Sequence, residues 1–511
     1  MRHTRSSILY HALLLTGVNF LLRGVSMLFQ IYLSNRVGAA GVGLMQLIFT
    51  VEAAAMTFGL SGARVAAMYL CAEEYGRRRL PGVRAALRLC LRYGAVCSLL
   101  AAAVLFFTAA RIASNWLHNP DAAGALRLVA LGLPVNCCCA ILGGYFTACN
   151  QVGRLVRVEV AERLACLALT MALLVFRTGF SPAATCGTVI FGGILTSLAA
   201  CAALAVIIYR DLRCAEPDPG LQMGRRLRKL CLPLAASDYL RSGLRALEQF
   251  LIPWGLMRAG GSSDAAMAEY GMFGGMVFPI LMFPAALLYA LSDLLVPELA
   301  RCRAEGSRRR VRHLTKTCLH MGLIYSGCVA GLLFVLSTSL GQLFYHREDV
   351  GTYLRLFSPM VLSLYTDAIV DGMLKGLGEQ VACARYNTIT SALDVAILFL
   401  CLPRFGLRAY LFSFFLTHLM NFALSLHRLL AVTGYLPSFS RTLRTLFSTA
   451  AATAVSSLLH VDQLNLPGIL FCRSLLFCTV LLLVLLLTGA FSSADFHLLS
   501  NALCKKAAID T

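Results

Sequence analysis

Three observations in this 511-residue sequence predict an all-α polytopic membrane protein. Hydrophobic residues make up 58% of it and charged residues only 14%, against about 25% charged in a soluble domain. Apolar runs long enough to cross a bilayer recur from end to end, and Lys and Arg concentrate in alternate loops between them.

A helix needs about 20 apolar residues to cross the hydrocarbon core. With breaks at Gly, Pro and charge clusters, about fourteen such runs are expected. They lie near 8–33, 43–70, 90–111, 124–148, 160–177, 183–208 and 233–257, then near 270–297, 317–340, 353–376, 386–402, 408–431, 443–459 and 468–490. The first has a basic start but an apolar stretch too long for a signal peptide, so it is expected to remain as a span. Placing the N-terminus in the cytoplasm puts "EEYGRRRLPGVRAALR", "YRDLRCAEPDPGLQMGRRLRKL" and "RCRAEGSRRRVRHLTK" inside. That satisfies the positive-inside rule and leaves both termini cytoplasmic.

A weak internal repeat is visible. "GLMQLIFTVEAAAMTFGLSGARVAAMYLCAEEYGRRR" opens at Gly43 and "GMFGGMVFPILMFPAALLYALSDLLVPELARCRAEGSRRR" at Gly271. Six helices separate the copies, an even number, so the repeat is parallel. The expected organisation is a six-helix lobe over 1–208, a cytoplasmic linker over 209–232 and a second six-helix lobe over 233–431. Two extra helices and a cytoplasmic tail follow over 432–511.

The net charge of +20 sits in short loops and not on one face of a soluble domain, so nucleic acid is not an expected partner. The twenty cysteines lie mostly inside apolar runs, three of them consecutively at 137–139. They read as small hydrophobes and not as a metal site. No nucleotide-binding loop, nucleophile elbow or metal motif is present, and the protein is not expected to be an enzyme.

The informative residues are charges at membrane depth. Such groups are costly in lipid and face a protein interior or a hydrated cavity. Arg23 lies near the middle of the first helix and Glu52 near the middle of the second, with Arg64 about two turns from its cytoplasmic end; the eighth carries Asp293 and the eleventh Asp394. In the seventh, "SDYLRSGLRALEQFLIP" carries Asp238, Arg241, Arg245 and Glu248, which share one helical face at 100° per residue. Asp367, Asp371 and Lys375 form a second stripe on the tenth helix. Each stripe either pairs within its helix to fix register or lines a cavity. Because guanidinium groups hold phosphates in bidentate fashion, Arg23, Arg64, Arg241 and Arg245 favour an anion such as pyrophosphate. Glu52, Glu248, Asp367, Asp371 and Lys375 are then charge partners. Asp394 and Thr390, one turn apart, offer oxygen ligands that with Asp238 suit a sodium ion. Pro279 and Pro284 are expected to kink the eighth helix and act as a hinge.

Residues 245–300, "RALEQFLIPWGLMRAGGSSDAAMAEYGMFGGMVFPILMFPAALLYALSDLLVPELA", resemble the stage V sporulation protein B family. The marks are Glu248, Ile252, Pro253, Tyr270, Gly271, Gly275, Met276, Pro279, Phe283, Pro284, Leu295, Val296 and Pro297. "RGVSMLFQIYLSNRVGAAGVGLMQL" is similar to that family's first loop. This family is a branch of the multidrug/oligosaccharidyl-lipid/polysaccharide exporter superfamily. The resemblance implies two six-helix lobes around a central cavity, working by alternating access. It implies a flippase for undecaprenyl-pyrophosphate-linked oligosaccharide, lipid II or a related cell-wall precursor, in a bacterial cytoplasmic membrane. Arg23, Arg64 and Arg241 or Arg245 would line the cavity; no cofactor is expected, and transport would be driven by an ion gradient, with Na+ or H+ as coupling ion, or by the membrane potential. Two other readings stay open, an antiporter of drugs or cations in the same fold and a non-transporting scaffold for spore-envelope assembly. Neither the sugar nor an oligomeric state follows from these residues.

Overall fold

The computed structural model describes residues 2–149, 151–175, 181–213, 223–458 and 465–491. Part of the expected linker (214–222) and the expected C-terminal tail (492–511) lie outside them. In chain order the helices are α1 (Arg2–Leu60), α2 (Ala63–Gly76), α3 (Leu80–Asn115), α4 (Ala122–Ala148), α5 (Val152–Val175), α6 (Pro182–Asp211) and α7 (Met223–Arg258). Next, α8 (Ser263–Gly271) runs through a π-helical turn at Met272–Val277 into α9 (Phe278–Met282) and α10 (Ala285–Ala304). There follow α11 (Arg308–Tyr345), α12 (Glu348–Phe357), α13 (Val361–Gly376), α14 (Gln380–Phe405), α15 (Leu407–Thr433), α16 (Phe439–Leu458) and α17 (Leu466–Leu487).

The protein is a polytopic all-α membrane protein, and among the described residues there is no strand. Among those residues nine helical stretches are long and apolar enough to cross a membrane, fewer than the fourteen expected runs. The shortfall has physical causes. Helix α2 has 14 residues and α13 has 16, both too short alone for a hydrocarbon core of about 30 Å. Helix α7 carries the charged stripe. The first two expected spans are joined within α1, whose one non-helical residue is Gly38 (φ 71°, ψ 174°), a conformation essentially restricted to glycine.

The chain divides into two compact units. One consists of Met1–Ile31, Met276–Asp394 and Leu411–Thr511, the other of Tyr32–Gly275 and Val395–Tyr410. Within the 32–275 unit, α2, α3 and α4 pack on one another and α6 covers α4. Their core joins Ala63, Ala67 and Leu70 to Val83, Leu87, Ile141 and Phe146. Within the 276–394 unit, α10, α11 and α13 make the same three-way contact.

The repeat runs in constant register through these helices. Helix α2 ends at Gly76 where α10 ends at Ala304, and α3 begins at Leu80 where α11 begins at Arg308. Likewise α4 ends at Ala148 where α13 ends at Gly376, and α5 begins at Val152 where α14 begins at Gln380. The spacing equals that between Gly43 and Gly271. Packing follows it too: Gly94 meets Ile141 as Gly322 meets Ile369, and Gly144 meets Arg64 as Gly372 meets Ser292. The Arg127 guanidinium lies 5.7 Å from the Phe106 ring centre, and Arg355 lies 4.5 Å from that of Phe334, a cation–π pair in each unit. His118 and His346, another equivalent pair, both have positive φ.

Broken helices leave carbonyls that lipid cannot satisfy, and tyrosines supply the donors. Helix α1 stops before Ser61 (φ 44°) and Gly62 (φ 77°). There Tyr93 donates to the Ser61 carbonyl at 3.4 Å, and Tyr239 lies 2.6 Å from Ser61 Oγ. Between α9 and α10, at Pro284, Tyr365 donates to the Leu281 carbonyl at 2.6 Å and Tyr325 to the Pro284 carbonyl at 2.8 Å. Pro279 is the second residue of α9, which begins directly after the π-helical turn.

Gly43 of α1 and Gly271 of α8 touch backbone to backbone, and a Cβ on either one strikes main-chain atoms of the other helix. Gly43→Ala and Gly271→Ala should each cost about 1–3 kcal/mol by overpacking, which outweighs the gain of about 1 kcal/mol in helix propensity. Gly193→Ala, where nothing lies within 4 Å, should be neutral or stabilising. Thermal unfolding of the purified protein in detergent measures all three. Melting of both clashing variants at or above the wild-type temperature would refute the close crossing.

Candidate functional site

The charged stripe of α7 faces a cavity of about 720 Å³ inside the 32–275 unit. Helical periodicity places Asp238, Arg241, Ser242, Arg245, Glu248 and Gln249 along one wall. The opposite wall is the second half of α1, with Gln46, Thr50, Ala53 and Thr57. The interruption at Ser61–Gly62 lets α2 begin beside this space, so Gly62, Arg64 and Val65 close one end. Tyr239 is fixed by Ser61 and by the Phe58 ring, whose centre is 4.6 Å away. Gln249 accepts a 2.6 Å hydrogen bond from Tyr270 of α8. Gln249 of the lining and Tyr239 next to Asp238 are thus each held by a hydrogen bond.

Arg64, Arg241 and Arg245 thus converge on one space with Asp238 and Glu248, three guanidinium groups against two carboxylates. None of the three arginines forms an ion pair within 4.0 Å among the described residues. All three are exposed to the cavity or solvent, and guanidinium groups without a carboxylate partner have their donors open for a phosphate-like anion. Glu52 is half-buried and is not part of this lining.

The remaining expected site residues lie in the 276–394 unit or on helices assigned to it. Arg23, on the first half of α1, has its guanidinium 5.6 Å from the Tyr289 ring centre. On α13, Lys375 pairs with Asp371 at 2.6 Å, the i, i+4 arrangement that also suits a register role. Asp367 instead accepts a 3.0 Å hydrogen bond from Asn421 of α15. The buried Asp367 Oδ1 and Asn421 Oδ1 have no partner among the described residues.

Asp394 of α14 is buried. Its Oδ1 accepts hydrogen bonds from Ser413 and, at 3.4 Å, from Thr417, both on α15. Thr390 donates to its own helix, at the carbonyls of Tyr386 (3.0 Å) and Asn387 (3.2 Å). Asp238 belongs to the 32–275 unit and Thr390 and Asp394 to the 276–394 unit. The hydroxyls that serve Asp394 are Ser413 and Thr417, a Ser-x-x-x-Thr pair one turn apart on α15. That spacing was available in the sequence, but nothing there tied it to a carboxylate on the preceding helix. His418 has its ring 4.1 Å from that of Phe414 and its Nδ1 3.0 Å from the Phe414 carbonyl. Among the described residues no group of three or more His, Cys, Asp or Glu side chains is arranged to hold a metal.

Comparison with known proteins places this geometry in context. Stage V sporulation protein B of Bacillus subtilis (strain 168) is 21% identical over 417 residues, covering 78% of this chain and 79% of that protein. A structure of the lipid II flippase MurJ in an inward closed conformation superposes with a TM-score of 0.65 at 12% identity. It covers 92% of this chain and 98% of that one. An inward-facing multidrug resistance MATE family transporter of the MOP superfamily gives 0.62 at 12% identity, with 81% and 96% covered. At these identities the two structures speak for the fold alone. Residues 8–302, more than half of the chain, match the family described as polysaccharide biosynthesis protein, and the chain belongs to that family.

Proposed function

We propose that the protein is a flippase for a pyrophosphate-linked lipid saccharide, lipid II or a related cell-wall or polysaccharide precursor, and that Arg64, Arg241 and Arg245 hold its pyrophosphate. The observation that carries this reading is the convergence of those three arginines, without ion-pair partners among the described residues, on one cavity. Its volume lies within the range of about 300–1,000 Å³ typical of small-molecule sites. Membership of the polysaccharide biosynthesis family and the likeness to stage V sporulation protein B support a substrate of this class.

In this reading the charged head group enters the cavity while its lipid tail stays in the bilayer. Guanidinium groups replace the water lost by the pyrophosphate, lowering the barrier that a bare dianion meets in hydrocarbon. The protein breaks no covalent bond and acts by alternating access. Pro279 and Pro284 are the proposed hinge, with the Tyr325 and Tyr365 hydrogen bonds keeping the break in one geometry. Arg23, over Tyr289, is a second contact for the substrate. Asp394, which accepts hydrogen bonds from Ser413 and Thr417, is the proposed site for a coupling cation, Na+ or H+. The MATE-like fold also suits a drug or cation antiporter, but a cation substrate calls for a cavity with an excess of carboxylates, the opposite of this lining.

Three measurements bear on the proposal. In a cysteine-depleted background, Ser242→Cys should react about tenfold faster with an anionic thiol reagent than with a cationic one, once intrinsic rates are removed. Adding Arg241→Ala and Arg245→Ala should abolish that preference. A cationic preference in the parent would favour the antiporter. Secondly, the wild-type chain should restore growth to cells depleted of their lipid II flippase. Arg241→Ala and Arg245→Ala should each lower translocation about tenfold or more, the loss expected for one charge-assisted contact. Lysine at either position should restore only part of it. Equal rescue by wild type and both alanine variants would remove the arginines from the mechanism. Finally, Asp394→Asn should abolish the dependence of transport on the ion gradient while leaving substrate binding intact. Unchanged gradient dependence would rule Asp394 out as the coupling site.

A further inference from the structure

We infer that the groove between α5 and α6, separate from the arginine cavity and serving no step of transport, binds one anionic phospholipid of a single leaflet. The groove has a volume of about 730 Å³. Its walls are short side chains, Ala161 and Ala165 of α5 with Ala199 and Ala203 of α6, so the two helices leave an apolar slot that no group among the described residues fills. At one end the lining changes character. Arg154 and Arg157 come from the first turns of α5, and Arg210 comes from the last turn of α6.

The acidic groups of the same lining are already engaged. Asp211 pairs with Arg154 at 3.1 Å, and Glu162 accepts a 2.6 Å hydrogen bond from Ser197 across the two helices. Arg157 donates to the Gly153 carbonyl at 3.3 Å, and neither Arg157 nor Arg210 has a carboxylate partner among the described residues. An apolar slot with cationic groups at its interfacial end complements a phosphate head group with an acyl chain beneath it. Basic residues at this depth attract anionic lipid by about 1 kcal/mol each.

The dimensions favour a phospholipid over the two other occupants. From Arg154 to Ala165 the helix rises about 16 Å, half of the roughly 30 Å hydrocarbon core. The slot is therefore one leaflet deep, whereas a long polyprenyl chain exceeds it. A second copy docked about a two-fold axis would set the same arginines against each other.

The test uses the full-length protein reconstituted in vesicles of equal parts phosphatidylglycerol and phosphatidylcholine, then read by native mass spectrometry. Wild type should retain phosphatidylglycerol over phosphatidylcholine by about tenfold. Arg157→Gln combined with Arg210→Gln should erase that preference. Ala203→Leu should fill the slot and reduce retention of both lipids, with an unchanged melting temperature showing that the helices still pack. Equal retention of the two lipids by wild type overturns the proposal, as does an undiminished preference in the double variant. Displacement of the bound lipid by added polyprenyl phosphate would make the groove a substrate contact and also overturn it. So would a dimer that dissolves in Ala203→Leu. Because the readout is bound lipid and not translocation, failure here leaves the proposed transport function standing.

Discussion

In hydrocarbon every backbone N–H and C=O must find its partner within the protein, and the architecture follows from meeting that demand where helices break. Both interrupted helices, at Ser61–Gly62 and at Pro284, have carbonyls held by tyrosine hydroxyls from neighbouring helices. The first of these breaks does more than terminate α1. It starts α2 in a new direction beside α7, which is how Arg64 comes to share a cavity with Arg241 and Arg245. Straightening that helix would remove the break on which this placement rests.

Which residues share a face of α7 was legible from spacing, because a helix in lipid has one geometry and its charges recur at i, i+3 and i+4. Asp238, Arg241, Arg245 and Glu248 line one cavity for that reason. Partners on other helices were not legible. Ser413 and Thr417 lie on α15 and Asp394 on α14, and a hydroxyl pair one turn apart on a helix is too common a pattern to mark a site. Asn421 was missed similarly, although it donates to Asp367. Glu52 stands in the same helix as the cavity wall but outside its lining, since a charge count along a span carries no information about which side meets which neighbour.

The repeat was legible at Gly43 and Gly271 and little elsewhere, and packing explains the difference. These two glycines meet backbone to backbone, where no side chain fits, so both copies keep the residue. Gly94 with Ile141 and Gly322 with Ile369 are kept for a related reason, a small residue receiving a branched one in a dense interior. Surfaces facing lipid require only hydrophobicity, and any apolar residue serves there. Similarity therefore survives in scattered contacts that become visible as a pattern only once the helices are placed.

The departures from the repeat matter as much as the matches. Arg64 and Ser292 occupy equivalent positions, each pressed by the corresponding glycine, Gly144 or Gly372. Ser292 donates a 2.9 Å hydrogen bond to the Ala368 carbonyl and serves helix packing, whereas Arg64 is among the residues that line the cavity. A serine satisfied by a neighbouring backbone carries no net charge at membrane depth and needs no water. An arginine at the same place carries an electrostatic cost that only a hydrated cavity or an anion relieves. The packing frame is common to both copies and tolerates either residue, so it is not the frame that calls for a charge. On the proposed function, the charge of Arg64 answers to the anionic head group in the cavity, and a single head group would require only one such cluster.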